Sequence, residues 1–170
     1  MNSDKVSPTE TTDSISAAIA TSILGQDLTR EECDKLSIAV TKRSLQKDEI
    51  LFHEDSKDET LYLLMTGKLE VLKTSGNNQI ISIDTLKPGS MTGELSFLDG
   101  ESHTMRLVAK KPTEVLMLHK QTFEKIVEKE PMLTYHVMRS ILRYSHKIQR
   151  KINSKYLEMH RMVQNQYTAH

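Results

Sequence analysis

The chain holds a single cysteine, Cys33, so no intrachain disulfide is open to it. A reducing compartment is consistent with that. Formal net charge is zero at neutral pH, so composition demands no nucleic-acid partner and leaves room only for local patches. No apolar run approaches the roughly 20 residues of a membrane-spanning helix. The opening residues 1–14 include Asp4 and Glu10 and no apolar core, so they do not read as a secretory signal. A cytoplasmic protein is the default expectation.

Signatures of catalysis are missing too. There is no P-loop and no Ser/His/Asp or Cys/His set. His53, His119, His136, His146, His160 and His170 show no tight metal-ligand spacing, and His136 and His146 lie too far apart on a helix to share one face from turn to turn. Neither an enzyme nor a metal site is expected. Cys33 reads as a small core residue rather than a nucleophile.

What remains is 170 residues with 37% hydrophobic and 27% charged content, which fits one globular domain with polar extensions. Residues 1–14 have almost nothing to bury and are expected to be a disordered tail. Residues 15–40 read as N-terminal helices. The first is alanine-rich and ends at Gly25. The second starts at Thr29, where Glu32 three residues on makes a capping-box pattern. Leu28 precedes that cap, and Cys33, Leu36 and Val40 follow at helical spacing.

From about residue 41 the texture changes. Apolar runs at 49–52, 61–65, 68–72 and 79–83 are broken by Asp, Ser, Lys, Gly and Asn. Short strands at such spacing suggest an antiparallel barrel or sandwich. Gly67 suits a tight turn with positive φ, and Ser75-Gly76-Asn77-Asn78 reads as a hairpin loop. Strands at 105–109 and 114–118 complete the β region 41–130. Helix returns at Lys120 with Phe123, Ile126 and Val127 as its stripe, and Pro131 punctuates it. A long helix follows over 131–160, free of Gly and Pro, with 161–170 as a tail.

The stretch 86–100 contains Pro88-Gly89 and then Gly93-Glu94-Leu95-Ser96-Phe97. Together with Leu61-Tyr62, Gly67 and Val71 upstream, and two strands, a helix, a proline and a long helix downstream, it resembles the cyclic nucleotide-binding domain family, of the catabolite activator and protein kinase A regulatory-subunit type. The resemblance spans roughly residues 28–152. It implies a mainly β fold with flanking helices: a β-roll (jelly roll) carrying a phosphate-binding-type turn at 86–106, plus a long C-terminal helix.

The turn has a physical logic. Unpaired N–H groups at a short helix start suit a phosphate, and glycine lets a ligand come close. A glutamate accepts from a ribose hydroxyl, and an arginine forks onto the phosphate. By the resemblance Glu94 takes the first job. The arginine position falls at His103, with Thr104 in the Ser/Thr place and Met105 where alanine is usual. Histidine has a reference pKa near 6.5 and no fork. Losing the charge-assisted contact costs about 1.5–3 kcal/mol, or one to two decades of affinity. Arg106 points to the opposite face if the strand has begun by His103. Asp48 and Asp55 stand where the family commonly has glycine, in outer turns. Family base-contacting positions fall near Ile148 and Gln149. The implied ligand site is therefore Gly93, Glu94, Leu95, His103, Thr104 and Gln149, for a cyclic nucleotide (cAMP or cGMP) or a related phosphate.

Met138, Ile141, Ser145, Ile148, Ile152 and Met159 recur at near-heptad spacing along the long helix, which suits a helix–helix seam. A homodimer or a protein partner is expected there, with the first half packed on the roll. Arg139, Arg143, Lys147, Arg150, Lys151, Lys155 and Arg161 form a solvated face or hold an acidic partner. About twenty residues follow Gln149, too few for a helix-turn-helix, so direct DNA binding is not expected. Two functions remain open. One is a stand-alone regulatory domain that binds such a ligand and signals through its C-terminal helix. The other is a degenerate, non-binding fold that serves as a dimerisation or protein-interaction module.

Overall fold

The computed structural model describes residues 8–168. Two four-stranded antiparallel sheets make the centre. One has the order β1-β8-β3-β6 and the other β2-β7-β4-β5, from strands β1 (Val40–Leu45), β2 (Ile50–Phe52), β3 (Thr60–Thr66), β4 (Leu69–Thr74), β5 (Ile80–Leu86), β6 (Met91–Thr92), β7 (Arg106–Ala109) and β8 (Thr113–His119). Helices α1 (Pro8–Thr21), α2 (Arg30–Ser37), α4 (Lys120–Val127) and α5 (Pro131–Thr168) flank them, and α3 (Glu94–Asp99) sits inside the turn after β6.

Strand periodicity explains the two cores. Successive side chains point to opposite faces. On β3, Leu61 and Leu63 therefore join a helix-side cluster, while Tyr62 and Leu64 join a cluster between the sheets. On β8, Leu116 and Leu118 face the helices and Val115 faces the second sheet. The first sheet is thus covered on both faces, which is why β3 reads as a continuous apolar run rather than an alternating one.

The capping box forms as the spacing predicts: Thr29 Oγ1 accepts from Glu32 N at 3.2 Å, and Thr29 N donates to Glu32 Oε2 at 2.8 Å. Cys33 is a buried free thiol, and burial raises its pKa. Several expectations need correction. Residues 8–14, taken as disordered tail, belong to α1, whose Ile15 and Ile19 anchor it in the helix-side core. Proline at the first helical position is compatible with this start. Residues 1–7 of the expected tail lie outside the described residues.

Gly25 is not a helix cap. It lies in a 3-10 turn (Leu24–Asp27) folded against α1, where a Cβ would stand 2.2 Å from Ile19 O. Val40 continues the spacing of Cys33 and Leu36 but opens β1, because its register partner is Leu118 of β8. Val127 turns to solvent instead of joining Phe123. The expected tail 161–170 is helical as far as Thr168, since no Gly or Pro stops α5; residues 169–170 lie outside the described residues.

Leu133, Val137, Ile141 and Tyr144 hold the first part of α5 in the helix-side core. Arg139 and Arg143 reach Asp27, and His136 Nδ1 lies 2.8 Å from Glu32 Oε1. Beyond residue 151 the described part of the helix is exposed. No helix among the described residues is long and apolar enough to cross a membrane.

Candidate functional site

A cavity of about 630 Å³ lies between the sheets, the β6–α3 turn and α5. Apolar side chains make most of its wall, among them Val71, Ile83 and Leu107 from the second sheet and Ile148 and Ile152 from α5. Its size is that of a small-molecule site.

Gly93 forms the hinge of the turn. Its φ is 81°, in the left-handed region, and an added Cβ would stand 2.3 Å from Thr60 O on β3. Only glycine lets the chain leave β6, pass this close to β3 and start α3 at once. Behind it, Ser96 Oγ accepts from Glu59 N at 3.2 Å, and Phe97 packs on Phe123. Glu94 follows on the cavity wall. Burial raises its carboxyl pKa, with small opposition from its own backbone N–H and from His103. Leu95 stands at the rim, 55% exposed.

His103 is buried, at 6% exposure. Its ring stacks on Phe52 with centroids 3.7 Å apart and planes 13° from parallel. Nε2 lies 2.9 Å from Asp58 Oδ1. Asp58 also accepts from Tyr62 Oη at 2.6 Å and from Thr60 N at 3.1 Å. The His103 backbone donates to Ser56 O and accepts from Asp55 N, at 2.9 and 2.7 Å. The residue where a phosphate-gripping arginine was expected thus ties the turn at 100–105 to the β2–β3 connection. Tyr62 has its phenol pKa pushed well above the ordinary value by burial and by the Asp58 carboxylate.

The family model for the cyclic nucleotide-binding domain matches residues 42–130, the two sheets and α3 together. The chain belongs to the cyclic nucleotide-binding domain family. It is 26% identical over 110 residues to the cyclic AMP receptor protein of Thermus thermophilus, covering 65% of this chain and 51% of that one. It is 32% identical over 114 residues to the anaerobic regulatory protein of Bacillus subtilis, covering 66% of this chain and 48% of that one. The chain therefore spans about half the length of these relatives. In fold it is similar to a cyclic nucleotide-binding domain from Methylobacillus flagellatus, with a TM-score of 0.76 and 24% identity over 86% of this chain and 82% of that one.

Within this cyclic nucleotide-binding domain, the structure brings Gly93, Glu94, Leu95, His103 and Thr104 together on the cavity wall. Thr104 is exposed, and its carbonyl accepts from Lys73 Nζ at 2.7 Å. Gln149 is not with them. It is exposed, about 100° around the helix from Ile148, which does line the cavity. Asp48 and Asp55 hold φ of 68° and 64°, so these turns keep a left-handed backbone without glycine. Aspartate tolerates that region better than most residues.

Sequence reasoning missed Asp58 and Phe52, whose link to His103 crosses 45 and 51 positions. It also missed Asp84 on β5. Lys151 Nζ bonds Asp84 Oδ2 at 2.7 Å and Lys155 Nζ lies 3.9 Å away, all three on the cavity wall. The Lys151 hydrogen bond holds the Asp84 carboxyl below the usual range, despite some burial. The basic cluster on α5 was the available signal, but its partners lie in distant segments. Among the described residues no group of three or more His, Cys, Asp or Glu is placed to hold a metal ion.

Proposed function

We propose that this chain is a ligand-responsive regulatory domain, not an enzyme. A small molecule, with cyclic nucleotides and related phosphates as the reference class, enters the cavity, and α5 carries the response. One observation supports it above the rest: the cavity is walled by both the β6–α3 turn and α5, so an occupant touches the roll and the long helix at once. Such an occupant shifts the balance between arrangements of α5 in proportion to its differential contacts. Glu94 is the polar anchor on the wall. With His103 committed to Asp58 and Phe52, affinity for cAMP and cGMP is expected one to two decades below that of an arginine-bearing site. Titration calorimetry with cAMP, cGMP and cyclic dinucleotides at millimolar ligand tests this. Weak heat that Glu94→Ala removes supports it, and no heat from any of the three counts against it.

The second reading, an interaction module, draws on α5. Ile141 is buried in the chain's own core and Ile148 packs against it, so neither serves a seam as the heptad spacing implied. An exposed stripe keeps the rest of that seam: Met138, Ile152 and Met159, joined by Tyr135, Leu142, Tyr156 and Val163, are all at least 37% exposed, and Ile152, Tyr156 and Met159 also line the cavity. With Ser145 and Gln149 between them they alternate by three and four positions, as a coiled-coil seam requires. The occupant we expect is a second copy of the chain, paired helix to helix. Sedimentation should show a dimer that Ile152→Asp with Tyr156→Asp returns to monomer. A parent that stays monomeric at 100 μM, roughly the upper range of weak self-association, sinks this reading.

A further inference from the structure

The charges on the cavity wall are arranged unlike its apolar bulk. Among the described residues, Lys151 and Lys155 are the only lysine or arginine side chains that line it. Both come from α5, and both are engaged by one carboxylate, Asp84 of β5. The lysines are 50% and 57% exposed and Asp84 is 36% exposed. Ion pairs this wet are worth little, so a competing anion can take the lysines at small cost. The rest of the wall offers alkyl and thioether surface, including Met91, Met105 and Met159. Glu94 adds no cation.

We infer that the cavity takes an amphiphilic carboxylate, an apolar body with one anionic head, and that the head takes Lys151 and Lys155 from Asp84. The inference rests on the sensor reading above and changes which ligand class fits best. It also assigns the signal. The Asp84–Lys151 pair joins the roll to α5 where the helix begins to leave the core, so exchanging it for a ligand alters how firmly the protruding half is held.

The experiment uses the full chain with methyl-¹³C methionine, octanoate as probe, and octanol as its uncharged counterpart. Octanoate is expected to shift the Met91, Met105 and Met159 methyl signals and to leave Met132, which is on the outside of α5, in place. Octanol should bind about tenfold more weakly, as expected for a lost charge-assisted contact. Lys151→Gln with Lys155→Gln should weaken octanoate about tenfold and leave octanol unchanged. Asp84→Asn should tighten octanoate several-fold, because the competitor for the lysines has lost its charge. Equal binding of octanoate and octanol, or no gain in Asp84→Asn, overturns the inference. If a cyclic nucleotide shifts the cavity methionines and octanoate does not, this inference falls and the sensor reading stands. If neither moves them, both fall.

Discussion

Gly93→Ala is expected to destabilise the domain by about 3 kcal/mol, the sum of left-handed strain and overpacking against a fixed neighbour. Two costs coincide at this residue. A φ of 81° is strained for alanine, and the new Cβ would lie 2.3 Å from Thr60 O. That oxygen cannot step aside easily. It is backbone of β3, and Thr60 is held by Asp58 on one side and His119 on the other. For a chain of this size the loss should appear as roughly 6–12 °C in melting temperature. Gly89→Ala separates the two causes. Gly89 has a φ of 86° but no atom within 4 Å of an added Cβ, so it should lose only the strain, about 1 kcal/mol. Calorimetric melts of both variants check the pair. Equal shifts would show that the close approach to β3 is not what requires glycine at position 93.

The second large effect concerns Asp58. Asp58→Ala removes the acceptor for His103 Nε2, Tyr62 Oη and Thr60 N together. Leaving these three buried groups unpaired costs about 3 kcal/mol or more, at about 1–3 kcal/mol for each orphaned group and less where water can enter. Tyr62→Phe deletes one donor without orphaning a buried group of its own and should cost about 1 kcal/mol. The loss should be local as well as global. His103 anchors the 100–105 turn, so hydrogen exchange at Ser102–Thr104 amides should accelerate in Asp58→Ala more than exchange in β8. A stability change under 1 kcal/mol with unaltered exchange would mean that the turn stands without this network.

The His103 network also bears on why the arginine is dispensable for the fold. A stacked imidazole and a carboxylate fill the space between β2 and the turn. The lysine side chains on the cavity wall come from α5, Lys151 and Lys155, and none comes from the turn. That is the physical link between the altered site and the ligand class inferred for it.

Much of this was legible in the sequence, for definable reasons. Capping at Thr29 involves residues three apart, and the strands at 61–65 and 105–109 carry their own apolar pattern and polar turns. The order Pro88-Gly89, Gly93-Glu94-Leu95 places the turn and the family. Other features were not legible. Val40–Leu45 has a polar middle and becomes a strand only because β8 supplies a ladder. Residues 8–14 look unfit to fold but extend a helix pinned at Ile15 and Ile19. Heptad spacing placed Met138, Ile141, Ser145, Ile148 and Ile152 in one seam, but burial moved Ile141 and Ile148 inward and left the stripe through Leu142 and Tyr156 outside.

The sequence by itself determined that the chain has one thiol, and that histidine stands at position 103 and glycine at position 93. They are local facts of composition and order, and so is the periodic pattern that builds the β-roll. The tertiary structure alone decided what His103 does, which face of α5 is free, and where the cavity's cations sit. Each of those depends on partners 45 to 71 positions away or on burial, and neither is written in the spacing of neighbours.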